Sequence, residues 1–373
     1  MNENDREGPL AVLTYDGKIG ELYRIFLVNL LLTVVTVVTV GIWRFWAITR
    51  MRRYLWSRTA SGGERFEYDG TGGQLFVGFL LAIGLIIGMS IAAVLLSALL
   101  RMVHPLLSIL PIVILYVSIL VLALGAPFAA QRYRLGHTVW RGIRGGMQGS
   151  MIAYGLRSLL YSILTGLTLL QLLPWTSLRL LERRLNASSF GSLRFVFQGL
   201  ARSLYPRFLV TWVAIVILAV VIFGPLFSFE RPLMTVLSTN PLPPEAQVML
   251  RHASFLFVGA YLIFLFASAL VATGYLAAYL RHVAGRARLG DLCFACDATG
   301  RDMFMLLLGN VLILLVTLGL GQPVVIHRTA RFVSTHLLTT GTLDLATLKQ
   351  SEQPVSRFGE GMFQALDGGA GFI

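Results

Sequence analysis

Residues 75–100 read LFVGFLLAIGLIIGMSIAAVLLSALL, 26 positions without a charge or a proline. About 20 such residues let a helix cross the ~30 Å hydrocarbon core of a bilayer. A helix that is apolar on every side is a buried or membrane helix. Working outward, segments 106–130, 208–229 and 255–280 pass the same test. Pro111, Pro127 and Pro225 fall in or near the ends of these segments, which membrane helices accept where neighbours satisfy the freed backbone. Charged residues make up 13% of the chain, about half the ~25% of soluble domains. Hydrophobic residues make up 56%, and mean hydropathy is +0.73. The chain lacks the charge to clothe a soluble surface.

The net charge of +13 lies in blocks between the apolar runs. That is the distribution of loops flanking membrane spans, and it argues against nucleic acid as a partner. Of the 31 basic residues only Lys18 and Lys349 are lysines. Guanidinium groups bind phosphate bidentately, so lipid headgroups are natural contacts. The opening MNENDREGPL has no basic stretch followed by an apolar core, and no cleaved signal peptide is expected. Two cysteines give no disulfide framework.

Three further apolar segments are shorter or interrupted. Segment 25–46 carries Asn29 and the series Thr33, Thr36, Thr39; 158–173 lies between Arg157 and Pro174; 303–322 contains Gly309, Asn310, Gly319 and Gly321. These three belong to an internal repeat. A shift of 129 residues puts Trp46 on Trp175, Arg50 on Arg179, Gly62 on Gly191, Arg65 on Arg194, Phe66 on Phe195 and Gly70 on Gly199. A partial third copy matches Gly41, Arg50, Arg53 and Tyr54 with Gly319, Arg328, Arg331 and Phe332. Several matches in register point to repeated units. The alternation Phe66-x-Tyr68 and Phe195-x-Phe197 reads as a short strand with one apolar face. The glycines beside it permit a tight turn into a helix. Glu21 and Asp302 then sit near helix N-termini, where negative charge is favoured.

Topology follows from counting. If all seven segments crossed, the basic residues would divide 16 to 14, with Arg157 inside a segment, against the positive-inside bias. If the three repeat segments enter and return on one side, 27 lie inside and only Arg101, Arg231 and Arg251 outside. The second arrangement also keeps the matched stretches in one compartment. The fold expected is therefore an all-α polytopic membrane protein with internal parallel repeats. It has four full transmembrane helices, three re-entrant or interfacial helical segments, and a small cytoplasmic β layer of one strand per half-unit. Residues 1–134 form the first repeat, 135–288 the second and 289–349 the partial third; 350–373 form a cytoplasmic tail.

Gly20-Glu21-Leu22, Asn29-Leu30-Leu31, Gly41-Ile42-Trp43-Arg44-Phe45-Trp46-Ala47, Arg52-Arg53-Tyr54 and Phe66-x-Tyr68-x-Gly70-Thr71-Gly72 together resemble the YjgN family. The closing Gly359-Glu360-Gly361 and Ala365-Leu366-Asp367 resemble its C-terminal signature. The resemblance implies a bacterial inner-membrane protein of unknown function and transfers no catalytic or binding residue.

Read residue by residue, Cys293-x-x-Cys296 has redox or half-metal-site spacing. No second ligand pair accompanies it, and aligning Arg134-Leu135-Gly136 with Arg288-Leu289-Gly290 places the cysteines on Val139 and Gly142. Structural filler is the reading, with no metal expected. The histidines show no ligand-pair spacing, and no phosphate loop, zinc-protease helix or nucleophile elbow appears. Asn29, Arg157 and Asn310 are the outstanding residues. The 281-residue shift matches the two asparagines, and the 129-residue shift puts Ser158, beside Arg157, at the same place. Polar groups at membrane depth are costly and point to function, with helix-to-helix hydrogen bonding as the plain alternative. Arg50, Arg52, Arg53, Arg179, Arg183, Arg184, Arg328 and Arg331 are the expected headgroup contacts. The leading reading is a non-enzymatic module that binds or passes a lipid or solute, without cofactor, in contact with anionic membrane lipids. The rival is a scaffold or regulatory subunit for another membrane protein.

Overall fold

The computed structural model describes residues 13–35, 42–227, 244–341 and 349–351. Segment Thr36 to Thr39, Arg231 and the tail from 352 onward lie outside the described residues. Pairs of helices and β-hairpins alternate along the chain. Strand β1 (Leu13–Tyr15) leads into α1 (Ile19–Val35) and α2 (Arg44–Ser57), followed by hairpin β2 (Thr59–Ser61) and β3 (Glu64–Tyr68). Next come α3 (Gly72–Val103) and α4 (Ile109–Gly136), then β4 (Thr138–Trp140) and β5 (Ile143–Met147). Helices α5 (Met151–Leu167) and α6 (Leu173–Ala187) precede β6 (Ser188–Phe190) and β7 (Leu193–Phe197). Helices α7 (Tyr205–Phe227), α8 (Pro244–Val271) and α9 (Thr273–Ala284) precede β8 (Ala287–Leu289) and β9 (Leu292–Cys296). Helices α10 (Gly300–Val316) and α11 (Gln322–His336) run into β10 (Leu337–Thr340).

The strands form one ten-stranded sheet whose spatial order is the chain order, every neighbouring pair antiparallel. Cα atoms of β10 come within 8 Å of β1, so the sheet nearly closes. This corrects the all-α expectation: the β layer is a continuous sheet, and each unit supplies a hairpin where one strand was expected. The hairpins turn in two residues, which demands left-handed backbone to match the strands' twist. Gly62, Arg141, Gly191 and Gly290 occupy the first turn position with φ of 58°, 52°, 54° and 58°. Counted from that turn, Cys293 and Cys296 correspond to Arg144 and Met147, which corrects the alignment onto Val139 and Gly142.

Among the described residues, four helical stretches are long and apolar enough to cross a membrane: Gly72–Val103, Pro105–Gly136, Tyr205–Pro225 and Leu250–Val271. They coincide with the four segments read from the sequence, except that the last does not continue to residue 280. The helix breaks at Ala272 and restarts as α9, with Thr273 Oγ1 bonding the Leu270 carbonyl at 2.7 Å. At most 11% of the most apolar window in any of the four is buried within the chain. Their side chains face outward, as lipid contact requires.

Segments 158–173 and 303–322 run from the outgoing legs over the apices of helix pairs α5/α6 and α10/α11, and the described parts of segment 25–46 lie in α1 and at the start of α2. Each pair leaves the sheet and returns to it. The outgoing legs have 17 residues, a rise of roughly 25 Å, short of the ~30 Å core. Left-handed residues reverse two apices: Leu169 and Leu170 in one, Leu318 and Gly319 in the other. The returning legs start on a buried second residue, Phe45, Pro174 or Pro323. Proline suits this place because the amides of a helix's first turn have no intrahelical partner to lose.

The core lies where the helix roots meet the sheet. Phe45 and Ile48 of α2, Tyr68 of β3, Leu75 of α3 and Tyr133 of α4 form one cluster. Leu178, Phe197, Leu204 and Ala278 form another. A third joins Leu22, Met51 and Leu55 to Ile326, fastening the first helix pair to the last. Full burial of a side chain such as Leu75 or Leu178 contributes roughly 1.5–3 kcal/mol.

Candidate functional site

Helix α5 starts directly after β5, and Ser150 caps it by accepting the Ala153 amide at 3.3 Å. Arg157 lies two turns in. Helix α6 runs back alongside and carries Arg179 and Arg183, four residues apart and so on one helical face. These three arginines converge on a cleft of about 480 Å³. Phe128 of α4 and Tyr154 of α5 form its apolar wall, and Gln148 and Ser150 lie at its base. Arg132 braces it from outside, donating to the Gly149 carbonyl at 3.1 Å with its guanidinium 5.7 Å from the Phe128 ring centre.

The electrostatics are unbalanced. Arg179 is paired with Glu182 at 2.8 Å. Among the described residues, the exposed side chains of Arg157 and Arg183 have neither an ion-pair nor a hydrogen-bond partner. The N-terminus of α5 adds its partial positive charge. The cleft can therefore receive an anion with an apolar neighbour.

The other two members of the expected polar centre lie elsewhere. Asn29, 8% exposed, donates to the Ala47 carbonyl at 3.5 Å and accepts from Arg50 Nη1 at 3.3 Å. Asn310 donates to Thr329 Oγ1 at 3.4 Å. Each ties the outgoing leg of its own pair to the returning leg. The 129-residue shift puts Ser158 at this place, but Asn29 and Asn310 are each the eleventh residue of their helix, and the eleventh residue of α5 is Tyr161, whose ring lies 5.2 Å from that of Trp175 on α6. Thr165 and Thr176 join those legs at 3.1 Å as well, farther from the sheet.

The remaining arginines divide by exposure. Arg53 is exposed and donates to the Gly70 carbonyl at 2.9 Å; Arg331 is exposed on α11. Arg50, Arg184 and Arg328 are half-buried, and Arg328 Nη2 bonds the Met305 carbonyl at 3.4 Å across the last pair. Arg52 is corrected as a headgroup contact. It is 1% exposed, with Nη1 3.5 Å from the Tyr68 hydroxyl, because its face of α2 packs on the sheet. Cys293 and Cys296 are free and stand three residues apart in β9. Odd spacing in a strand points side chains to opposite faces, so the two cannot share a ligand.

The sequence singled out Arg157, Arg179 and Arg183 separately. It missed Phe128, Gln148, Ser150 and Tyr154. A signal for the convergence was present: a re-entrant segment bounded by Arg157 and Pro174 must bring its two flanks together.

A family profile described as "Bacterial protein of unknown function (DUF898)" matches residues 11–365. The chain is 39% identical over 69 residues to "Inner membrane protein YjgN" of Salmonella typhimurium, covering 18% of this chain and 17% of that protein. It is 34% identical over 77 residues to "Inner membrane protein YjgN" of Escherichia coli, covering 21% and 19%. The aligned part thus spans about a fifth of either relative. No solved structure matches. With four membrane-length helices and a profile match along nearly its whole length, the chain is a membrane protein belonging to the DUF898 family of bacterial proteins of unknown function.

Proposed function

We propose that this protein is a non-enzymatic, multi-pass module of the bacterial inner membrane that binds the headgroup of an anionic lipid in the cleft between α5 and α6. One observation carries the reading: two unpaired arginines and one paired one surround a cleft with an apolar wall. The cleft also lies at the helix roots, beside the sheet, where a headgroup would meet the protein.

In this reading α3, α4, α7 and α8 cross the bilayer. The pairs α1/α2, α5/α6 and α10/α11 enter from the sheet side and return to it, and both termini are cytoplasmic. The short outgoing legs support this, as does the sheet, which ties the two ends of every pair to one side. We also read the three short pairs as copies of one unit, since Arg50, Arg179 and Arg328 are each the seventh residue of α2, α6 and α11. A scaffolding role would draw on the outward face of α3, where a Cβ added at Gly84 or Gly88 would meet nothing within 4 Å. Small residues so placed let membrane helices approach closely.

Native mass spectrometry of protein extracted gently from inner membranes tests the lipid reading. The wild type is expected to retain anionic phospholipid, and the double variant Arg157→Gln, Arg183→Gln to lose it. An unchanged lipid complement in a well-folded double variant sinks the proposal.

A further inference from the structure

Resting on the headgroup reading above, we infer that the cleft between α5 and α6 selects a phosphomonoester over a phosphodiester. The charges decide this. Arg179 is neutralised by Glu182 at 2.8 Å, which leaves Arg157 and Arg183 as two uncompensated cations in one cleft. A diester phosphate carries one negative charge and would leave one arginine unmatched. A monoester carries about −1.5 to −2 at pH 7 and presents three terminal oxygens. Two guanidinium forks, each able to grip two oxygens, match that set better than the two free oxygens of a diester.

The rest of the cleft fits the same ligand. The first turn of α5 adds backbone amides and a partial positive charge at the base, with Ser150 already committed to the Ala153 amide. Glu182 would repel a dianion if free, but Arg179 holds it. Phe128 and Tyr154 supply a wall for the carbon side of the ester. The ligand is thus a monoester of an apolar or glyceryl alcohol. Its source is either a lipid with a terminal phosphate or a soluble phosphomonoester.

The full-length protein in detergent, titrated with short-chain phosphatidate, short-chain phosphatidylglycerol and glycerol 3-phosphate, separates these. The readout is the shift in unfolding midpoint with ligand concentration. At about pH 7.5 phosphatidate should bind about tenfold tighter than phosphatidylglycerol. At about pH 5, below the second phosphate pKa near 6, that ratio should shrink to about twofold or less. Taking the ratio cancels any acid effect on the fold itself. Arg157→Gln and Arg183→Gln should each bring the ratio toward one, whereas Arg24→Gln, exposed on α1 of another helix pair, should leave it unchanged. Tight binding of glycerol 3-phosphate identifies a soluble monoester; binding of phosphatidate alone identifies the lipid. Equal affinity for the two lipids at pH 7.5 overturns the monoester inference while leaving the headgroup reading intact. If glycerol 3-phosphate alone binds, the headgroup reading falls and the monoester inference stands; if none of the three binds, both fall.

Discussion

Burying a cation is expensive unless its donors are used and its stem is packed. Arg52 is buried to 1% exposure between α2 and β3, beside the Tyr68 hydroxyl. Truncation there removes a long packed side chain and strands its acceptors. Arg52→Ala should lower unfolding stability by about 3 kcal/mol, measured by denaturant titration in detergent. Arg331→Ala, exposed on α11, should stay within about 0.5 kcal/mol. His282 gives a pH test outside the spans. Its Nε2 accepts the Leu200 amide at 3.0 Å and its Nδ1 lies 3.1 Å from Ser203 Oγ. Burial first, then Arg286, lowers its pKa below the ordinary 6.5. The unfolded chain therefore binds the proton more readily than the folded one. The stability His282 contributes is complete above pH 6.5 and is lost as pH falls through the lower folded pKa. A denaturation series across that window should show this acid loss in the wild type and a smaller one in His282→Gln. Equal slopes would assign it to other groups.

At the scale of elements, the hairpins show what local sequence conveys and what it hides. Strands β3 and β7 were legible because Phe66-x-Tyr68 and Phe195-x-Phe197 alternate. The three-residue strands β2, β4, β6 and β8 are too short for a period to register. Strand β5 reads Ile-Arg-Gly-Gly-Met, and glycines are poor strand formers. Gly145 is nevertheless demanded there, since a Cβ would sit 2.7 Å from the Leu135 carbonyl oxygen. The turns carry a prediction. Gly290 has φ of 58°, and a Cβ there would lie 3.3 Å from Leu193 Cδ1. Gly290→Ala should cost about 1–2 kcal/mol. Arg141 holds the same turn position at φ 52°. Arg141→Gly should be close to neutral, because relief of strain is offset by losing the Glu64 ion pair at 3.8 Å and the stacking on Trp140. Unfolding midpoints of the two variants, taken side by side, check the contrast. A larger loss in Arg141→Gly would mean its side chain matters more than its backbone.

On the scale of the whole molecule, the sheet makes topology a single decision. All hairpins share it, so they share a compartment. In a background with Cys293 and Cys296 replaced by serine, cysteines introduced at Gly63 and Ser192, both exposed in hairpin turns, should be labelled only from the cytoplasm. A cysteine at His104, at the far end of α3, should be labelled from outside. Ser188 is buried and makes a poor labelling position. Labelling of position 192 from outside would overturn the re-entrant reading.

The sequence by itself determined the membrane class and the four long spans, because hydrophobic length is a local property that the bilayer reads directly. It also marked Arg157, Arg179 and Arg183 as residues to explain, because a charge beside an apolar run is costly wherever it falls. Only the tertiary structure decided which of them meet. Asn29 and Asn310 each bond within their own helix pair, while Tyr161 with Trp175 and Thr165 with Thr176 join the legs of the middle one. Only the structure, too, joined the short strands into one sheet and fastened Ile326 onto Leu22, Met51 and Leu55. Contacts between residues some 300 positions apart leave no periodic trace in a chain. They arise because a set of half-buried hairpins and helix roots can hide its apolar faces only by packing against one another, the last against the first.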